Sequence, residues 1–223
     1  MIIVHEGLGE EASRLARTFR EVYGLDSQLI DRDLEGAFVK VSELEGFWAY
    51  DYYLEKALKE FGNKKVMVIT PRDIYAGTSK DDDWIFGYCA DKATLVSTAR
   101  MKGQDSRPRT TLEVPNEKYM RRLEAVAVHE IGHKVVRSPH LEMATWVNDR
   151  TGHELTLGPH CTDNTCVLYE IVDIRAPPKE EGHMRLGSKK KYDAGLDDVL
   201  ERMVPTWFCE TCLPTIQIDE TYK

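Results

Sequence analysis

Five consecutive residues carry the densest chemistry in the chain: His129, Glu130, Ile131, Gly132 and His133. The apolar flanks LEAVAV and IGHKVV place them in a buried helical segment, where residues four apart share a face. Both imidazoles can then reach one zinc ion, with Glu130 beside them. Zinc lowers the pKa of water from 15.7 towards about 7. A neighbouring carboxylate can take the proton as hydroxide attacks a peptide carbonyl, then return it to the leaving amine. A carboxylate on the opposite helical face could not serve. A polar trio with no partner in so apolar a helix would be costly, so the metal-site reading outweighs a chance H-E-x-x-H. The cysteines form a second constellation. Cys209 and Cys212 make a C-x-x-C pair, and four residues separate Cys161 from Cys166. An odd total of five fits a disulfide framework poorly, whereas two short-spaced pairs fit a tetrahedral four-thiolate zinc site. Cys89, in WIFGYCA, reads as a small core residue.

In order and type these motifs resemble the archaemetzincins, a branch of the metzincin zinc metallopeptidases. That signature runs HExxHxxGxxHC, four residues, CxM, a spacer and CxxC. The chain has HEIGH at 129–133, His160-Cys161, four residues, Cys166-Val167-Leu168, and CETC at 209–212. KVMVITPRDIY (65–75), WIFGYCA (84–90) and ATLVSTARM (93–101) are also similar to the family. The resemblance implies two zinc ions per chain. A catalytic one would sit on His129, His133 and His160 with Glu130 as general base, and a structural one on Cys161, Cys166, Cys209 and Cys212. Because His160 and Cys161 are adjacent, the second ion would hold the backbone that presents the third histidine.

The chain departs from that pattern in three places. The family's third histidine follows after five residues, through a glycine; here 26 residues separate His133 from His160, with Val136 and Pro139 on the way. Residues 137–156 read as an insertion. The spacer from Cys166 to Cys209 is 42 residues, so a second insertion is expected within 171–195. Leu168 replaces the methionine. His140 and His153 are rivals to His160 as third ligand. Val135 and Val136 resist the positive φ of a tight return to His140, and nothing anchors the loop at His153. His160 has Gly158 for a turn and Cys161 as a tether.

The elements that must position these groups are legible from periodicity. IIV (2–4) reads as a strand and 10–23 as an amphipathic helix stopped by Gly24. QLID and AFVKV suit strands. Residues 45–61, with Trp48, Tyr50, Tyr52 and Tyr53, read as a second helix. KVMVIT, 84–90 and 94–101 read as strands, and the acidic run 80–83 and residues 102–115 as loops. Asn116 can cap a helix over 117–137, ended by Ser138-Pro139. The Lys189-Lys190-Lys191 run reads as an exposed loop. The expected fold class is α/β (α+β): a metzincin-like mixed twisted sheet with long helices including the zinc-binding one, then a loop-rich, zinc-stapled C-terminal lobe. A single domain of 1–223 would comprise an N-terminal lobe, 1–137, and a C-terminal lobe, 138–223.

The charge balance, 30 Lys+Arg against 38 Asp+Glu, leaves −8, which argues against a nucleic-acid or anionic-membrane partner. No apolar run approaches a membrane span, and the N-terminus lacks the basic region of a signal peptide. A cytoplasmic setting is expected. Function then reads as a zinc-dependent metalloendopeptidase or aminopeptidase-like hydrolase acting on a peptide or protein substrate. By resemblance, and by position just before the zinc helix, the substrate would lie along an edge strand at 94–100. Thr94, Leu95, Val96, Ser97 and Thr98 would pair with it. The rival reading is a catalytically silent zinc-stabilised binding module, H-E-x-x-H being retained only as a metal site.

Overall fold

A computed structural model describes residues 1–34, 39–40, 47–49, 61–62, 64–75, 84–89, 93–104, 113–147, 152, 154–173, 183–186, 189–191 and 194–222. Their contacts divide the chain into two compact units, Met1–Ile131 with Ile218–Lys223, and Gly132–Gln217. The sequence reading put the lobe boundary after 137. The division falls at 131/132.

The first unit opens with β1 (Ile2–His5), α1 (Gly9–Tyr23) and β2 (Gln28–Asp31). Ala12, Leu15, Phe19 and Tyr23 recur at helical spacing on the buried side of α1. Glu10 and Glu11 in its first turn and Arg20 in its last complement the helix dipole. The helix stops at Gly24, whose φ of 66° lets its N–H reach the Arg20 carbonyl. Six short strands follow: β3 (Val39–Lys40), β4 (Phe47–Ala49), β5 (Val66–Thr70), β6 (Asp73–Tyr75), β7 (Trp84–Ile85) and β8 (Gly87–Cys89). β9 (Ala93–Ser97) then leads to α2 (Asn116–Val135).

The main sheet has the order β2-β1-β5-β9-β8, parallel except for the antiparallel β8. Every residue of β1, β5 and β9 is buried, as expected of strands covered on both faces. Ile2, Val4, Val66, Val68, Ala93 and Leu95 form one face of the core, packed with Leu34 and Ile74. A second sheet has the order β3-β4-β6-β7. Two expectations change here. Phe47–Ala49 is a strand rather than part of a helix, because its backbone pairs with β3 and β6 and its aromatics suit a pleated surface. The other residues of that expected helix up to 60, and the acidic run 80–83, lie outside the described residues. The expected strand 84–90 breaks at buried Phe86, so β7 joins the second sheet and β8 the main one.

Helix α2 is buried on most sides, with Tyr119, Met120, Leu123, Val126, Val128 and Ile131 in the core. Such a helix must satisfy each polar group it takes inside. Fully buried Arg122 donates to the carbonyls of Met101 (2.7 Å) and Gly103 (2.6 Å). Glu124 accepts from Arg14 Nε at 2.8 Å and from Thr18. Tyr23 donates to the Val128 carbonyl, and Tyr119 to Glu11. Burial, with the Glu11 carboxylate adjacent, pushes the Tyr119 phenol up, so it stays a donor. The last residues return to this unit, where the Met1 ammonium donates to the Tyr222 carbonyl at 2.7 Å.

The second unit contains β10 (Leu141–Val147), β11 (Glu154–Cys161), β12 (Ile171–Asp173), β13 (His183–Leu186), β14 (Lys189–Lys191), β15 (Ala194–Gly195) and α3 (Leu196–Arg202). Its antiparallel sheet has the order β11-β10-β13-β14. The two stretches read as insertions therefore meet in one sheet: the first supplies a hairpin, the second adds β13 and β14 to it. Lys189–Lys191 is the outer strand rather than a loop. Lysines there suit an edge, since their charge discourages further pairing. Gly158 is not at a turn either. It sits in β11 opposite Ala144, with φ of 98°, where the register with β10 shifts. β12 pairs with β15, and the Gly195 N–H that opens α3 donates to Asp198 at 3.0 Å.

Candidate metal centres and their surroundings

Helix α2 passes through both units, and the helix itself sets the relation of His129 to His133, one turn apart. Within the second unit the ring of His133 meets that of His160 edge-on, with centroids 4.6 Å apart. His129, one turn before His133, presents its imidazole on the same face of the helix. His129 and His160 are buried and His133 half-buried. His160 is the penultimate residue of β11, so the inserted hairpin carries it: Glu142 pairs with His160, and Leu141 with Cys161.

Glu130 is buried, and β8 passes close to it. A Cβ built on Gly87 would lie 2.5 Å from Glu130 Oε1, so only a glycine leaves room for the carboxylate where it stands. Leu168 packs on the helix at Gly132. A Cβ on Gly132 would come within 2.7 Å of Leu168 Cδ2 and 3.4 Å of the Phe208 ring. The Cys161 N–H donates to the Leu168 carbonyl at 2.9 Å, tying this segment to the end of β11. The sequence reading missed one residue: buried Glu170 pairs with His160 Nε2. His160 Nδ1 lies 3.0 Å from the Gly158 carbonyl. Whichever nitrogen takes a metal, the other has an oxygen to which it can donate. Nothing in the spacing of Glu170 marks it; its role arises from the chain reversal after Cys166.

A second cluster lies wholly within the second unit. Cys161 Sγ is 3.8 Å from both Cys209 and Cys212, and no cysteine is in a disulfide. Cys166 hydrogen-bonds with Cys161 and Cys212. His140 Nε2 joins them, 3.2 Å from Cys161, 3.3 Å from Cys212 and 3.6 Å from Cys209. The four donor atoms of His140, Cys161, Cys209 and Cys212 lie within 4.8 Å of one another. Hydrogen bonds from Cys161 and Cys166 hold the Cys212 thiol down at about 4. Hydrogen bonding with Cys166 and Cys212 pushes Cys161 up. Thiolates so close repel one another, and a dication is what lets them share the site. The donor sets therefore fit zinc: three imidazoles for one ion, a thiolate-rich set for another.

The structure thus brings His160 beside His133, and puts His140 among the cysteines. His153 lies outside the described residues. The expected substrate strand is corrected. Thr94, Leu95, Val96 and Ser97 belong to β9, an interior strand between β5 and β8, and Thr98 follows it, buried. The short strand after Phe86 takes the edge, so β8 ends the sheet. Cys89 is half-buried on that strand rather than in the core, 3.6 Å from Thr94 Oγ1.

No protein-family model and no curated protein matches the sequence. Two solved structures do match the fold. Archaemetzincin AmzA from Archaeoglobus fulgidus, determined in complex with malonate, is 20% identical with a TM-score of 0.55, over 97% of this chain and 100% of its own. A zinc-dependent peptidase from Methanocorpusculum labreanum is 16% identical with a TM-score of 0.57, over 96% of this chain and 98% of its own. Over nearly its whole length the chain has the mixed α/β fold of these two structures.

Proposed function

We propose that the chain is a zinc-dependent peptidase, in which His129, His133 and His160 hold the catalytic zinc and Glu130 is the general base. The observation that carries this reading is the placement of Glu130. The residue adjoins His129 in the chain, and its carboxylate occupies a space that Gly87 leaves open for it. A purely structural metal gains nothing from such a carboxylate. Zinc bound here would supply a Lewis acid able to activate water near neutral pH and polarise a scissile carbonyl. Glu130 takes a proton from the attacking water at a carboxylate oxygen. As hydroxide adds to the carbonyl carbon and the C–N bond breaks, Glu130 passes that proton to the departing amine nitrogen. Glu170 and the Gly158 carbonyl hold the His160 ring in place. β8, at the end of the main sheet, offers its backbone to an extended peptide, so recognition would draw mainly on main-chain hydrogen bonds.

A second, structural zinc would be held by the thiolate cluster of Cys161, Cys166, Cys209 and Cys212, which His140 joins. Adjacent His160 and Cys161 couple the two centres. We assign the activity to the cytoplasm, on peptide or protein substrates and without nucleic-acid or membrane partners. No helix among the described residues is long and apolar enough to cross a membrane. The test is Glu130→Ala assayed on a peptide library beside wild type. Hydrolysis is expected to fall by about 10²–10⁴-fold, with zinc content and thermal unfolding unchanged. Equal cleavage by both proteins would remove Glu130 from the mechanism. Failure of both to cleave, together with no hydroxamate binding, would favour the silent binding module.

A further inference from the structure

Five donors surround the thiolate-held metal of the proposed function, and a tetrahedral ion takes four. We propose that His140 is its fourth ligand, with Cys161, Cys209 and Cys212, and that Cys166 remains a thiol packed beside them. Three observations carry this assignment. The first is distance. Zinc at about 2.3 Å from sulfur and 2.0–2.1 Å from nitrogen sets tetrahedral edges of about 3.8 Å for S···S and 3.6 Å for N···S. The observed S···S separations from Cys161 are both 3.8 Å, and the His140 nitrogen stands 3.2–3.6 Å from all three sulfurs. His140 therefore caps the complete triangle of sulfurs, whereas Cys166 hydrogen-bonds with the Cys161 and Cys212 thiols and meets Cys209 through its backbone.

The second is charge. Four thiolates on a dication leave two net negative charges in a site whose cysteines are all buried, and three thiolates with a neutral imidazole leave one. Removing charge from water is expensive, so the histidine set costs less. It matters more here because the Asp163 carboxylate hydrogen-bonds with Cys209.

The third is chain topology. His140 immediately precedes β10, and Cys161 ends β11, paired with Leu141. One ion bound by both would clamp the base of the inserted hairpin, and with it His160.

The experiment loads the full wild-type chain with cadmium-113 and correlates the metal with protons two to four bonds away by NMR. The thiolate-rich resonance, downfield of the histidine site, is expected to show cross-peaks to the His140 ring and to the Hβ protons of Cys161, Cys209 and Cys212. Cross-peaks from Cys166 Hβ, with or without His140, would overturn the assignment while leaving the second metal intact. Absence of any thiolate-range resonance would overturn the second metal itself. Variants give an independent reading of the same point. Cys166→Ser should keep the resonance and the full metal complement, and His140→Ala should shift it or lose it. The reverse pattern would sink the proposal.

Discussion

Glu130 depends on a residue that has no side chain. Gly87 passes close to its carboxylate, and a Cβ there would overlap Oε1, Cγ and Cδ of Glu130 at 2.5–2.8 Å. Gly87→Ala should therefore push the base off its position without touching a metal ligand. A misplacement of about 1 Å can cost about a hundredfold in rate, so kcat should fall by that order with zinc content unchanged. Steady-state kinetics with metal analysis on the same sample checks this. The second residue is Glu170. As the carboxylate on His160, it orients the ring and raises its basicity as a ligand. Glu170→Gln keeps the shape and removes the charge. It should weaken zinc at the histidine site by about 10–100-fold, read by competition with a chelating dye, and leave the thiolate site alone. Equal affinity would make Glu170 a structural partner only.

Helix α2 works because its buried polar residues are tied to particular partners rather than to solvent. Arg122 is the clearest case, a fully buried guanidinium that satisfies the carbonyls of Met101 and Gly103 just after β9. Replacing it by Leu leaves two buried acceptors without a donor and should cost about 3 kcal/mol, measured by urea unfolding. The residues of the motif itself would be untouched, so loss of activity at low denaturant should track unfolding. At this scale the inserted hairpin is also explained. β10 and β11 form the hairpin between His133 and His160, and they deliver His160 at the end of a paired strand. Lys189–Lys191 then closes the sheet with an edge that resists further pairing.

At the scale of the molecule, the thiolate cluster lies wholly in the second unit, Gly132–Gln217, and helix α2 runs through both. Elemental analysis should return two zinc ions per chain. Graded chelation should strip the histidine site first and abolish hydrolysis with little change in structure. Removal of the thiolate-bound ion should then unfold the second unit, because binding and folding free energy are the same quantity there. Hydrogen exchange should show amides of 132–217 losing protection while β1, β5 and β9 keep theirs. Uniform loss across both units would mean that the cluster does not stabilise the second unit separately.

Much of this was readable before any coordinates. The helix period put His129, Glu130 and His133 on one buried segment, because a spacing of four needs only local geometry. The apolar runs at 2–4 and 65–70 marked the central strands, because strands buried on both faces have little choice of residue. The paired cysteines marked a metal site for the same local reason. What needed the tertiary structure was everything set by long-range pairing. An edge strand is defined by what does not lie beside it, so the sequence placed the edge at 94–98 when β8 holds it. Three lysines in a row look like a loop until a hairpin offers them a partner. Glu170 is 10 residues beyond His160 in the chain but against it in space, and His140 is seven beyond His133 yet belongs to the cysteines. Short spacing can be inferred from a helix or a knuckle. Contacts closed by an inserted sheet are decided only when the sheet forms.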